Sequence, residues 1–200
     1  MSGIADILDR AGIYRLWQAP FAERKLAPLT ASGDIGRARR VLDVACGPGT
    51  NTGHFRHSDY VGVDINPAYV AAARAHHGRT FIAADFTRFA AQGLGKFDFI
   101  LLNSFLHHLD DAAAARVLET ARTLLADRGH VHVLDLVLPE AVSMARYLAQ
   151  ADRGRFARPA GEWKEMFAQA FNPVRFQEYE LGAFGIPLWQ MVYFKGEPKG

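Results

Sequence analysis

The chain has 200 residues, half of them hydrophobic, with 23 basic and 21 acidic side chains and a formal net charge of +2. That length suits one domain with its own core, and that charge balance excludes a strong polyanion-binding signature. The single cysteine, Cys46, excludes an intramolecular disulfide; with no long apolar run and no basic-then-apolar leader around Asp6 and Asp9, a cytoplasmic protein without a membrane span is expected.

Ile4, Ile7, Leu8, Ile13, Leu16 and Trp17 fall at helical spacing, interrupted near Gly12, and a second helical piece over 21–29 follows Pro20. Thr30 to Gly36 reads as a linker, and Arg37, Arg39 and Arg40 as solvated charges at a strand entry. Val41, Leu42 and Val44 then form a short strand buried on two faces, which runs into the tight turn Gly47-Pro48-Gly49. A helix is expected over 50–57, its free N–H groups at Asn51 and Thr52 suiting a ligand carboxylate. Asp43 sits at the end of the first strand, and Asp64 closes the second, Tyr60 to Asp64. Strand, glycine turn, helix, strand and acid is the architecture of a nucleoside pocket, in which the second acid accepts from the ribose hydroxyls.

Asn66-Pro67 opens a helix through His76, and Phe81 to Asp85 is a third strand ending in an acid. The fourth strand, Phe97 to Leu102, delivers Asn103 through His108 to the sheet edge where open parallel sheets bind ligands. Asp110 and Asp111 start a helix over 112–126, and Gly129 to Leu136 is the fifth strand, with Asp135 near its end. Helices over 139–150 and 162–171 flank a basic loop at 152–158, and Val174 to Leu181 pairs with Trp189 to Lys195 as antiparallel strands. Five strands alternating with helices predict right-handed crossovers and a doubly wound α/β sheet.

A dinucleotide fingerprint requires G-x-G-x-x-G, but position 52 is Thr52 and position 43, in mid-fingerprint, is an acid. Both departures weigh against a nicotinamide cofactor. The stretch instead resembles motif I of the class I S-adenosylmethionine-dependent methyltransferases, an acid followed by G-x-G-x-G, matched by Asp43, Gly47 and Gly49, with Ala45 in place of the first glycine. The resemblance covers about residues 38–136 by motif and the remainder by element order. It implies S-adenosylmethionine as cofactor, S-adenosylhomocysteine as product, and a mostly parallel seven-stranded sheet of order 3-2-1-4-5-7-6. It also implies an N-terminal helical lid over 1–36, a cofactor-binding core over 37–136 and a substrate-side region over 137–200, all in one domain. The implied cofactor set is Asp43, Ala45, Gly47, Gly49, Asn51, Thr52, Asp64, Ile65 and Asn103, with Asp85 at the adenine amino group and Phe86 flanking its ring. Tyr14, Trp17 and Gln18 on the lid are candidates to line the acceptor pocket.

Methyl transfer is an in-line displacement, so the protein must align donor and acceptor and exclude water, and an acceptor bearing a proton needs a base. His107 and His108 stand where that base belongs, and histidine titrates near neutrality. Asp110, Asp111 and Asp135 do not make a metal-ligand set, so no metal is expected. Cys46 lies inside the glycine turn, which argues against a catalytic-cysteine pyrimidine methyltransferase. Asn103-Ser104-Phe105-Leu106 lacks the Pro-Pro-aromatic loop of the adenine amino-methylating enzymes. With no basic stripe carrying interleaved aromatics, a small-molecule acceptor is expected and nucleic acid is not. Arg146, Arg153 and Arg158, with Tyr147 as an apolar wall, are candidates to hold an acceptor carboxylate or phosphate. An RNA or protein acceptor, and a protein that binds the cofactor without catalysis, stand as alternatives; oxygen, nitrogen, sulfur and carbon acceptors, and the oligomeric state, stay open.

Overall fold

Seven strands lie in one sheet of order β3-β2-β1-β4-β5-β7-β6. They are β1 (Arg40–Val44), β2 (Asp59–Asp64), β3 (Thr80–Ala83), β4 (Phe97–Asn103), β5 (Leu125–Val137), β6 (Phe171–Ala183) and β7 (Ile186–Pro198). The first five are parallel, and β7 inserts antiparallel between β5 and β6. The structure, a computed structural model, describes residues 21, 23–89, 93–151, 155–183 and 185–200. Five helices complete it: α1 over 23–31, α2 (Pro67–His77), α3 (Asp111–Leu124), α4 (Met144–Ala151) and α5 (Ala160–Ala170).

Alternation along the strands divides the core in two. Leu42 and Val44 of β1, with Ile100 and Leu102 of β4, face α3 and α5 through Val117, Leu118, Trp163 and Phe167. Val41 of β1, with Phe99 and Leu101 of β4, faces α1 and α2 through Leu26, Leu29, Val70 and Ala73. Both faces of the parallel strands are therefore covered, as the doubly wound reading requires. The α1 face is tied down by ions as well as apolar contact. Asp34, just past α1, pairs with Lys195 of β7 at 2.7 Å, while the neighbouring His132 of β5 is fully buried and stacked on Phe99 at 4.1 Å. Burial pushes that imidazole down to about 3, so it stays neutral near physiological pH.

Caps set the helix starts. The Asn66 side chain accepts from the amides of Ala68 and Tyr69, Pro67 takes the first helical position, and Gly78 ends α2 at φ +60°. Asp110 accepts from the Ala113 amide at the start of α3. Ser143 accepts from the Arg146 amide at 3.1 Å, which starts α4 at Met144 and not at Pro139 as the apolar pattern suggests. The fifth strand begins at Leu125, before the expected Gly129, because a register break opposite Phe97 and Phe99 absorbs the intervening residues.

One predicted element is not formed. Residues 50–57 make only a short 3-10 turn, Thr52–Phe55, where a helix was expected. Thr50, Asn51, Thr52 and Gly53 are poor helix formers, and the Asn51 side chain makes no cap but donates to Asp43 instead. The glycine turn therefore has no α-helical N-terminus beneath it. It pays in strain as well: Ala45 is held at φ +58°, a left-handed conformation that costs a non-glycine residue about 1–2 kcal/mol. Ala45→Gly should stabilise the fold by about 0.5–1 kcal/mol, the relief of strain exceeding the added freedom of the unfolded chain. Thermal unfolding checks this, and a lowered Tm would show that the turn is not strained at Ala45.

Candidate active site

The strands β1, β2 and β5 each carry a buried carboxylate at or near the carboxyl end, and each carboxylate gathers a loop. Asp43, on β1, is fully buried; its Oδ2 accepts from the Tyr60 hydroxyl at 2.7 Å and from Asn51 Nδ2 at 3.1 Å. Burial pushes its carboxyl up to about 6, against the pull of those two hydrogen bonds. Asp64, at the end of β2, accepts from the Gly47 amide through Oδ2 and from the Asn66 amide through Oδ1, both at 2.8 Å. The same residue read as the ribose acid thus also pins the glycine turn of the neighbouring strand. The Cys46 amide donates to Val63 O at 3.1 Å and completes that stitch between the two strand ends.

The turn itself is shaped for backbone approach. Gly47, at φ +55°, has nothing within 4 Å of where a Cβ would stand, so this position is open. Gly49, at φ +84°, is packed from behind: a Cβ there would lie 2.6 Å from the His77 ring of α2. Cys46 is buried, and burial first, then the neighbouring Asp43 and Asp64 charges, push its thiol far up, which leaves it a packing residue. Thr52 is buried under the turn. Asn103, at the end of β4, donates to Asn51 Oδ1 at 3.5 Å. Three buried oxygens at this edge, Asp43 Oδ1, Thr52 Oγ1 and Asn103 Oδ1, have no hydrogen-bond partner among the described residues. Unpartnered buried polar atoms are costly, and their convergence beside an open glycine fits a polar ligand carrying donors. Ile65, next to Asp64, is 68% exposed, an apolar side chain set beside the turn.

At the end of β3 the prediction and the geometry part in detail. Asp85 Oδ1 caps a 3-10 turn, accepting from the Thr87 amide at 2.9 Å and its hydroxyl at 2.8 Å. Those bonds hold its carboxyl below the usual range. The Phe86 side chain is buried in the core and stacks on Phe89 at 5.1 Å.

The loop after β4 carries both histidines. His107 is buried, and its Nδ1 lies 2.5 Å from Asp135 Oδ1 on β5; His108 is exposed, its ring tilted against that of His107 with centroids 4.1 Å apart. Asp135 is fully buried, and its carboxylate also takes the amides of Leu106 (2.8 Å), Phe105 (3.3 Å) and Leu136 (2.7 Å). Burial alone would raise its pKa; the His107 charge and the hydrogen bonds from His107, Leu136 and Leu106 reverse that and hold it low. Sequence reading weighed Asp135 only as a metal ligand and missed it as the partner of His107. The available signal was its place near the carboxyl end of the strand beside β4.

The arginines expected to bind acceptor behave differently. Arg158 is buried and donates to Leu106 O, Leu109 O, Phe156 O and the Asp111 carboxylate. Its donors are used within the protein, which corrects the expectation that it grips an acceptor anion. Arg146 donates to the carbonyls of Pro139 and Glu140, ahead of α4. Tyr147 is exposed on α4. Tyr14, Trp17, Gln18 and Arg153, with most of the lid, lie outside the described residues.

A family model described as a methyltransferase domain matches residues 14–172. The ubiquinone biosynthesis O-methyltransferase of Pseudomonas aeruginosa is 24% identical over 187 residues, 80% of this chain and 79% of that protein. The N-methyltransferase NodS from Bradyrhizobium japonicum WM9, solved with S-adenosyl-L-homocysteine, superposes with a TM-score of 0.70 at 17% identity, over 89% of this chain and 87% of that one. The PH0226 protein from Pyrococcus horikoshii OT3 gives 0.72 at 17% identity, over 91% and 92%. The matched span takes in the glycine turn, the acids at the strand ends and both histidines, and the chain belongs to the class I S-adenosylmethionine-dependent methyltransferases.

Proposed function

We propose that this methyltransferase acts on a hydroxyl group of a small molecule, with His107 as general base and Asp135 as the group that orients it. The observation that carries this reading is the buried His107 Nδ1–Asp135 Oδ1 contact of 2.5 Å, set where the ends of β4 and β5 meet. S-adenosylmethionine, when bound, supplies an electrophilic methyl group on a sulfonium. Asp64 accepts hydrogen bonds from its ribose with the lone pairs that Gly47 and Asn66 leave over. Asp43 and Asn103 offer their unpartnered oxygens to its amino-acid end, and Ile65 and Asp85 flank its base. An ionised Asp135 holds the His107 proton on Nδ1, which leaves Nε2 to take the acceptor's proton as transfer proceeds. His108 is exposed to solvent, whereas His107 is buried against Asp135.

A hydroxyl acceptor agrees with the O-methyltransferase named among the relatives. The anionic acceptor loses support, because Arg158 and Arg146 direct their guanidinium groups to protein carbonyls and Asp111. Phe156, whose amide donates to His107 O at 3.0 Å, is 41% exposed, and with Met144 and Tyr147 on α4 it offers apolar surface on that side. An apolar or aromatic body bearing the hydroxyl suits such walls better than a phosphate does.

Two outcomes follow. Asp64→Ala should weaken S-adenosylhomocysteine binding roughly tenfold to a hundredfold, the loss of charge-assisted hydrogen bonds; calorimetry reads this, and unchanged affinity would move the ribose elsewhere. With a catechol as methyl acceptor, His107→Ala should lower kcat by about a hundredfold or more while S-adenosylhomocysteine affinity stays within about twofold. Full turnover in that variant would reject the base.

A further inference from the structure

The loop bearing His107 is suspended between two buried charges of opposite sign. Its amides at Phe105 and Leu106 run to the Asp135 carboxylate, and its carbonyls at Leu106 and Leu109 run to the Arg158 guanidinium, at 3.4 and 2.8 Å. Arg158 also ties the loop to its surroundings. It donates to Asp111 Oδ1 at 2.9 and 2.7 Å, where α3 begins, and to Phe156 O at 2.9 Å. Its guanidinium lies over the Trp163 ring at 4.7 Å, and the Trp163 indole donates to Leu136 O at 3.0 Å, one residue beyond Asp135. The Arg158 backbone is stitched to the same strand end, its carbonyl accepting from the Leu138 amide at 2.9 Å.

We propose that Arg158 is a positioning residue for methyl transfer, holding the His107 loop in the register that keeps Nδ1 on Asp135. This rests on the reading of His107 as base. The chemistry of the side chain favours the role. A guanidinium presents five N–H donors in a rigid plane, which lets one side chain hold several carbonyl and carboxylate acceptors in a fixed arrangement. Lysine, with a compact ammonium on a flexible stem, reaches one or two of these acceptors and cannot hold them in one plane. A base must stand within hydrogen-bond reach of the proton it takes, and a displacement of about 1 Å can cost on the order of a hundredfold in rate.

The test is Arg158→Lys, followed by long-range proton–nitrogen NMR of the imidazoles, with the His107 signals assigned by their loss in His107→Ala. In the wild type His107 should be a single Nδ1–H tautomer. In Arg158→Lys the ring should populate both tautomers and its midpoint should move down by about half a pH unit or more, as the Asp135 contact loosens. S-adenosylhomocysteine affinity should stay within about twofold, because Arg158 touches none of the residues at the glycine turn. With the catechol acceptor, Arg158→Lys should lower kcat about tenfold to a hundredfold in the wild type and less than about twofold in the His107→Ala background. An unchanged His107 tautomer and midpoint, or an equal loss of kcat in both backgrounds, would reduce Arg158 to a structural residue. Should Arg158→Lys fail to fold, Trp163→Phe, which removes the indole donor and reshapes the ring face, carries the same expectations. Retained turnover in His107→Ala alone would instead overturn the base assignment, which keeps the two failures apart.

Discussion

A carboxylate taken out of water must be given donors, and this site is built by that demand. Asp43, Asp64 and Asp135 stand near the carboxyl ends of three parallel strands, all buried. Among the described residues none is paired with an arginine or lysine. Each accepts instead from backbone amides, a hydroxyl, an amide side chain or an imidazole, drawn from an adjoining loop or strand, and Asp43 keeps one oxygen unpartnered. The glycine turn, the Asn51 turn and the histidine loop are thereby fixed by the same rule. Because parallel strands put all their carboxyl ends at one edge, the three loops meet there.

The arrangement separates two tasks. Asp43 and Asp64 shape the half proposed to bind S-adenosylmethionine, and the price of that shape is visible in the left-handed backbone of Ala45. Asp135 shapes the half in which a proton can be accepted. It holds His107 by one oxygen and the amides of Phe105 and Leu106 by the other, so ring and loop are oriented together. The residues that complete the frame come from far along the chain. Arg158, Trp163 and Phe156 belong to the segment between α4 and the body of α5. The frame of the proposed base is thus coupled to the segment that follows α4.

Much of this was legible in the sequence because it is written locally. The strand at Val41–Val44, the turn at Gly47–Gly49 and the acid at Asp64 are short-range patterns, and the sheet order followed from the family they resemble. What stayed hidden depends on long-range pairing. No periodicity joins His107 to Asp135, and nothing in the run Arg153-Gly154-Arg155-Phe156-Ala157-Arg158 tells which arginine turns inward. Arg158 looked like a ligand for an anion because sequence shows a charge without showing whether its donors are already used. The helix expected over 50–57 failed for the converse reason: a long-range hydrogen bond from Asn51 to Asp43 outweighed a weak local preference.

The central claim is that the edge built around Asp64 and the glycine turn is a pocket for an adenosyl amino acid and not for a dinucleotide. Calorimetric titration of the purified protein with S-adenosylmethionine, S-adenosylhomocysteine and NADH tests it most directly. Micromolar binding of the first two with no heat from NADH is the predicted result. Binding of NADH alone would contradict the account from the glycine turn outward.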